Sequence, residues 1–145
     1  MIAKILVCLD SSPRAPGVLA AATELAEAFD AKMILYRAVV VPPEFPAAGR
    51  STHADELPDV LRSAALDDLR ALAENDARAS IEPPVVSIGQ PWRAIVETAD
   101  RLDVDLIVLG SHGFHGLDHL LGTTSAKVAN HAHRSVFIVH ERGVP

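Results

Sequence analysis

The chain has 145 residues, of which 49% are hydrophobic and 22% charged. This length and composition predict one globular domain, spanning residues 1–145, with enough apolar side chains to bury a sizeable core. The formal net charge of −6 gives no long-range attraction for polyanions, so we expect no nucleic-acid binding through a basic surface.

The amino terminus and the cysteine content bear on cellular location. The segment MIAKILVCLDSS has a short apolar run that ends at Asp10, and it lacks the length and flanks of a signal peptide or membrane span. Cys8 is the single cysteine and can form no internal disulfide, which fits a reducing compartment. We therefore expect a cytoplasmic protein without a membrane segment, in which Cys8 packs in the core.

The first half of the chain begins with alternating strand and helix patterns. The apolar run from Lys4 to Asp10 predicts a strand that is covered on both faces. Ser11 to Pro13 signals a helix start, and an apolar stripe at helical spacing follows it. Met33 to Val41 predicts a second strand, and the prolines and glycine after it predict an exposed loop through about Thr52 that could lie over a ligand. The stripe of the first helix consists of Val18, Ala22, Leu25, Ala26 and Phe29.

The second half continues the same alternation. The lone Trp92 falls on the apolar face of a helix, so we expect it to be a packing residue. The helix predicted from Leu57 has acidic residues off its apolar stripe, and these predict a solvated face. The predicted elements are a helix from Leu57, a strand from Pro83 to Ile88, a helix after Gly89-Gln90-Pro91, a strand from Asp105 to Leu109, a helix after Gly122 and a strand from Ser135 to His140.

This order of elements predicts a doubly wound α/β domain, with a parallel sheet and helices on both faces. If the strand order is the common 3-2-1-4-5, ligands bind beyond the carboxyl ends of strands one and four. Asp10 ends strand one and Gly110 ends strand four, so both would lie in that crevice. A carboxylate beside a polyphosphate suits Mg²⁺, which prefers hard oxygen ligands. A second interpretation of Asp10, as the N-cap of the first helix, stays open.

A segment rich in glycine and hydroxyl residues follows strand four. Its last glycine, Gly122, is followed by Thr123, Thr124 and Ser125 and then by the helix-forming sequence AKVANHA. Backbone N–H groups at a helix N-terminus attract anions, and glycine lets the backbone approach a phosphate closely. A phosphate-binding loop and a loop whose glycines only form tight turns both fit this pattern. Neither GxGxxG nor GxxxxGK[ST] is present.

Gly110-Ser111-His112-Gly113, separated by eight residues from Gly122-Thr123, resembles the ATP-binding loop G-x2-G-x9-G-S/T of the universal stress protein (UspA-like) family. The loop here is one residue shorter between its second and third glycines and has Thr where Ser is commoner, so residues 114–121 receive no assigned contacts. The resemblance extends along the chain. It covers MIAKILVCLDSS and KMILYRAVV, which match the first two strands, GQPWRAIVETA, which matches the family's turn and helix, and SVFIVH, which matches its closing strand.

This resemblance implies a Rossmann-like fold of the adenine nucleotide alpha hydrolase-like type and a module that binds ATP with Mg²⁺ or Mn²⁺. It implies that Asp10 lies near the metal or the phosphates and that the backbone of Ala38 contacts the adenine ring. It also implies a homodimer through the last strand, here Val136 to Val139, and a stress or signalling role in which nucleotide state changes contacts with an unknown partner protein. The other implied nucleotide-binding residues are Gly110, His112, Gly113, Gly122, Thr123 and Thr124.

Other chemistry has weaker support in the sequence. His115 and His119 have a spacing that suits a metal on a helix, but glycines interrupt that stretch and no cysteine accompanies them. No GxSxG motif is present, and no residue stands out as a base that would activate water. We expect that the protein is not an enzyme and that any ATP hydrolysis is slow. Two alternatives stay open, which are a slow ATPase or nucleotide-dependent transferase and an assembly module that no longer binds nucleotide.

Overall fold

The computed structural model describes residues 1–41, 52–75, 80–111 and 122–141, with the side chains of the second range described from residue 57 onward. Five strands alternate with four helices in this part of the chain. None of these helices has the combination of length and apolar character that a membrane crossing requires. The elements are β1 (Lys4–Cys8), α1 (Ala15–Phe29), β2 (Lys32–Val39), α2 (Thr52–Glu74), β3 (Ser80–Ile88), α3 (Pro91–Arg101), β4 (Leu106–Gly110), α4 (Thr123–His131) and β5 (Ser135–Val139).

The strands form one parallel sheet in the order β3-β2-β1-β4-β5. This confirms the predicted doubly wound fold and its strand order. Val7 of the central strand β1 lies between Leu35 on β2 and Val108 on β4. All three of these side chains are fully buried, as expected for strands whose two faces are both covered.

Alternate residues of each strand contribute to two cores, one on each face of the sheet. Ile5 and Val7 pack with the apolar residues of α1 and with Leu69 of α2. Leu6, whose side chain points to the opposite face, packs with Ile95 of α3 and with Val128 of α4. The helices therefore form one layer on each face of the sheet, and the carboxyl ends of the strands lie between these two layers.

The element boundaries differ from the predicted ones where the apolar pattern is weak. Helix α2 begins at Thr52, five residues before the predicted start at Leu57. The prediction missed this first turn because its sequence, THADE, contains no apolar stripe. Strand β3 begins at Ser80 and not at Pro83. Its pairing with β2 shifts register between Ile34 and Tyr36, opposite Glu82 and Val85. This irregularity accommodates the two prolines between them, which cannot donate to the sheet.

Two side chains that were predicted to pack in the core have different environments. Phe29 is 44% exposed, because it is the last residue of α1 and lies beyond the part of the helix that covers the sheet. Cys8 is half-buried. It packs at the margin of the core against α3 and α4, where β1 ends. Trp92 packs in that same margin, as predicted, and its ring lies 4.7 Å from that of His131.

Candidate functional site

A cavity of about 370 Å³ lies at the carboxyl ends of the central strands. It occupies the crevice between β1 and β4, where successive connections leave the sheet in opposite directions, which is the usual ligand position in this class of fold. The structure brings six of the predicted site residues to its wall. They are Asp10, Ala38, Gly110, Gly122, Thr123 and Thr124. His112 and Gly113 lie outside the described residues, as do His115 and His119.

The turn between β1 and α1 forms one side of the cavity. The carboxylate of Asp10 accepts a hydrogen bond from the backbone N–H of Ser12 at 2.9 Å. The Ser12 hydroxyl in turn accepts one from the backbone N–H of Arg14 at 3.2 Å. Helix α1 begins at Ala15, with Arg14 as its N-cap residue. Asp10 is therefore not the N-cap of this helix; it stabilises the preceding turn with a carboxylate that is exposed at the cavity.

A guanidinium group holds the carboxyl end of β1 in place. Arg37, near the end of β2, donates from Nε to the carbonyl oxygen of Leu9 at 2.8 Å and from Nη2 to that of Asp10 at 3.2 Å. Its Nη1 also donates to Asp68 of α2 at 3.1 Å. The Arg37 side chain is only 11% exposed. It therefore joins β2, the end of β1 and α2 into one rigid wall beside the cavity.

The opposite side of the cavity is the junction of β4 with α4. The carbonyl oxygen of Ser111 accepts a hydrogen bond from the backbone N–H of Gly122 at 2.7 Å and another from the hydroxyl of Ser125 at 2.8 Å. These two bonds bring together the ends of the segment 112–121. They also fix the first turn of α4 at the cavity wall, with Thr123 and Thr124 beside it.

The N-terminus of α4 has unpaired hydrogen-bonding capacity. Its N-cap residue is Gly122, and among the described residues no side chain caps the helix. The first backbone N–H groups of a helix have no partner within the helix and carry a partial positive charge. Because this end of α4 lies at the cavity, it favours a negatively charged group there.

The remainder of the cavity wall is mostly apolar. It includes the ring of Tyr36, which is fully buried, together with Pro91, Ile95 and Leu109. Burial raises the pKa of the Tyr36 phenol, an effect that the hydroxyls of Ser87 and Thr98 oppose. Burial likewise raises the pKa of the Cys8 thiol, which disfavours the reactive thiolate form. A cavity that combines an apolar wall with a helix N-terminus suits a ligand with one flat apolar end and one anionic end.

The described residues offer limited means of holding a metal ion. Within the described ranges, no group of three or more His, Cys, Asp or Glu side chains is close enough to bind a cation by itself. Asp10 is an exposed carboxylate at the cavity. A single carboxylate fits Mg²⁺ or Mn²⁺ when phosphates and water complete the coordination. The described residues of the cavity therefore suit a cation that arrives with a polyphosphate, and do not by themselves form a protein metal centre.

Sequence reasoning did not find several residues of this cavity. Ser12, Arg14, Tyr36 and Arg37 all lie in its wall. The first two follow Asp10 closely in the chain, and this proximity was an available signal. Tyr36 and Arg37 precede Ala38 on β2, but their role depends on which way each side chain points from the strand.

The fold and the cavity define a doubly wound α/β domain with a ligand-binding crevice at the point where its connections reverse. The model of the universal stress protein family matches residues 1–140. The chain therefore belongs to the universal stress protein family.

Individual proteins and solved structures are similar to this chain. Universal stress protein A homolog 2 of Coxiella burnetii is 33% identical over 141 residues, which cover 97% of this chain and 96% of that protein. The solved structure of the universal stress protein UspA from Lactobacillus plantarum is 24% identical, with a TM-score of 0.79 over 95% of this chain and 97% of that one. The crystal structure of a universal stress protein in complex with cAMP is 27% identical, with a TM-score of 0.68 over 96% of this chain and 97% of that one.

Proposed function

We propose that the cavity binds an adenine nucleotide, ATP with Mg²⁺ or Mn²⁺, and that the protein is a nucleotide-responsive stress or signalling module. The observation that carries this proposal is that the cavity has two kinds of lining. Several of its residues are apolar, and the others include the N-terminus of α4 and the carboxylate of Asp10.

These two kinds of lining match the two ends of a nucleotide. The apolar wall around Tyr36 and Ile95 suits an adenine ring, and Ala38 at the end of β2 offers backbone groups to its edge. The phosphates would lie against Gly122, Thr123 and Thr124, and Asp10 would hold the metal that accompanies them. The relative that was crystallised with cAMP supports an adenine-containing ligand.

We propose a binding role for this protein, and not a catalytic one. Among the described residues that line the cavity, Asp10 is the only acid, and histidine does not occur there. The Asp10 carboxylate already accepts the Ser12 N–H, and metal coordination would occupy it further. A general base for water attack needs a proton acceptor that is available to the water, so any hydrolysis should be slow.

Nucleotide binding is tested by thermal unfolding and calorimetry. ATP with Mg²⁺ at about a hundred times its Kd should stabilise the protein by about 2.7 kcal/mol. AMP, cAMP and adenosine, measured in parallel, rank the contribution of the phosphates. Mass spectrometry of a copurifying small molecule gives an independent identification. No stabilisation at millimolar ATP and Mg²⁺ would reject the proposal and favour the assembly module without a ligand.

A sharper test uses the first turn of α4. Thr124→Asp places a carboxylate where the phosphates are proposed to lie, and should weaken ATP binding by at least about tenfold. An acidic residue in the first turn of a helix is favourable for the helix itself, so the free protein should keep its stability. Thr124→Asn, which has nearly the same shape without the charge, is the matched control. Equal ATP affinity in both variants would show that the phosphates lie elsewhere.

We also propose that two copies of the chain associate through β5. This strand is at one edge of the sheet, and Phe137 on it is 42% exposed. An apolar edge strand presents unpaired backbone groups and favours pairing with another chain. Phe137→Glu should convert a dimer to a monomer in sedimentation experiments, whereas Phe29→Glu, at an exposed phenylalanine of similar exposure away from this edge, should not. An unchanged sedimentation coefficient for Phe137→Glu would place the interface on another surface.

A further inference from the structure

Arg14 contributes a positive charge to the cavity wall beside Asp10. Its side chain is 33% exposed, and it lines the same cavity as Thr123 and Thr124 of α4. Arg14 is the N-cap residue of α1 and lines the same cavity as the proposed phosphate site. Its guanidinium can form two parallel hydrogen bonds with phosphate oxygens, which a threonine hydroxyl or a single backbone amide cannot do.

The same arginine forms an ion pair with a residue that follows β5. Its Nε donates to Oε2 of Glu141 at 2.9 Å, and the Glu141 side chain is 67% exposed. Ion pairs at such exposure are weak and contribute about fivefold or less to an equilibrium. A polyphosphate carries more charge than one carboxylate and would bind in a partly enclosed cavity. It should therefore displace Glu141 from the guanidinium.

We propose that Arg14 is a phosphate-recognition residue that exchanges partners, from Glu141 in the free protein to the phosphates of the bound nucleotide. Glu141 is then a competitor within the chain that lowers nucleotide affinity. This inference rests on the proposed function and deepens it, because it predicts which nucleotide the site prefers. Ligands with several phosphates gain the Arg14 contact, and adenosine does not.

The exchange would also connect the cavity with the edge of the sheet. Glu141 lies two residues beyond the end of β5. The carbonyl oxygen of Val139, the last residue of β5, accepts a hydrogen bond from the N–H of Ser111 at 2.9 Å. The carboxyl end of β5 is therefore held both to the start of the glycine-rich segment and, through Glu141, to α1. Nucleotide binding would release the second of these links while the first remains.

The test is a double-mutant cycle measured by calorimetry with ATP and Mg²⁺ and, separately, with adenosine. Arg14→Gln should lower ATP affinity by about tenfold or more, the usual effect of losing a charged hydrogen bond, and change adenosine affinity by less than about twofold. Glu141→Gln should raise ATP affinity by about two- to fivefold, the equilibrium contribution of an exposed ion pair. The Arg70–Asp67 pair on α2 is also exposed and lies outside the cavity wall, so Arg70→Gln and Asp67→Asn are the charge-matched controls.

The combination of the two changes separates exchange from simple repulsion. If Glu141 acts by occupying Arg14, Glu141→Gln should have no effect on ATP affinity in a protein that already carries Arg14→Gln. If it raises affinity equally in both backgrounds, Glu141 only repels the phosphates and the exchange is refuted. Because Glu141 is an exposed residue, its variant keeps the test valid if Arg14→Gln folds poorly.

The remaining outcomes distinguish this inference from the proposed function. If the unmodified protein binds ATP and Arg14→Gln behaves like Arg70→Gln, the nucleotide site stands and the role of Arg14 is wrong. If the unmodified protein binds no ATP, both proposals fail together. An effect of Arg14→Gln that is equal for ATP and adenosine would reveal a structural role in the turn and refute phosphate recognition.

Discussion

Arg37 is the residue whose replacement should be most damaging to the wall of the cavity. The expected cost follows from its three hydrogen bonds. Two go to the carbonyl oxygens of Leu9 and Asp10, and the third goes to the exposed carboxylate of Asp68. Leu9 is 1% exposed, so Arg37→Met leaves its carbonyl without this donor, whereas water can reach the exposed Asp10. We expect a loss of about 2–3 kcal/mol in the free energy of unfolding, since hydrogen bonds to charged groups contribute about 1.5–3 kcal/mol each and the exposed ones less.

The assay is urea denaturation of the protein without nucleotide, supported by thermal unfolding. For a domain of this size, a loss of 1 kcal/mol lowers the Tm by about 3 °C, so Arg37→Met should lower it by about 6–9 °C. Asp68→Asn removes only the exposed part of the network and should cost at most about 1 kcal/mol. Arg62→Met is the matched control, because Arg62 is 45% exposed and pairs with an exposed aspartate on α2.

Two results would refute this reasoning. If Arg37→Met lies within about 0.5 kcal/mol of Arg62→Met, the ordinary range for surface changes, the carbonyl bonds contribute nothing measurable. If Asp68→Asn costs as much as Arg37→Met, the stability comes from the ion pair and not from the tie to β1.

Three further predictions concern the backbone and its hydrogen bonds. Gly17→Ala should stabilise the protein by about 0.5–1 kcal/mol, because Gly17 lies in α1 with space around it. Gly89→Ala should destabilise it by about 1 kcal/mol or more, because Gly89 has φ +153°. Equal urea midpoints for the two variants would contradict both predictions. Asp105 accepts the N–H groups of Ala3 and Lys4, which lowers its pKa. The resulting stability is present above pH about 4 and is lost as the pH falls through the lowered pKa. The unmodified protein should therefore lose part of its excess free energy of unfolding over Asp105→Asn in urea titrations at about pH 3. A difference between the two proteins that does not vary with pH would refute this. Ser125→Ala should cost about 1 kcal/mol through the lost bond to the Ser111 carbonyl, measured against Thr123→Ala, and an equal cost in the two variants would show that this bond is not needed.

Much of the fold could be read from local patterns. The apolar run of Leu106 to Leu109 is buried as a strand, and Ile95 and Ala99 lie on the buried face of α3 as their spacing predicts. Such patterns are decided by backbone geometry and by the burial of apolar side chains over a few residues. Where the pattern was absent, as in the first turn of α2, the boundary was wrong.

The site could be predicted only in part. Asp10, Gly110 and Gly122 were identifiable because they lie next to strand ends and helix starts, where the chemistry of a parallel sheet places ligands. His112 and Gly113 stay predictions, since they lie outside the described residues.

The sequence by itself determined the alternation of strands and helices, the apolar faces and the glycine and hydroxyl segment after β4, since each depends on residues close together in the chain. Only the tertiary structure decided that Arg37 ties the end of β1 to α2, and that Arg14 meets Glu141 from 127 positions away. Contacts of this kind depend on strand order, register and side-chain direction together. No local sequence pattern predicts them, because the partners of each arginine are distant in the chain and come close to it only in the folded sheet.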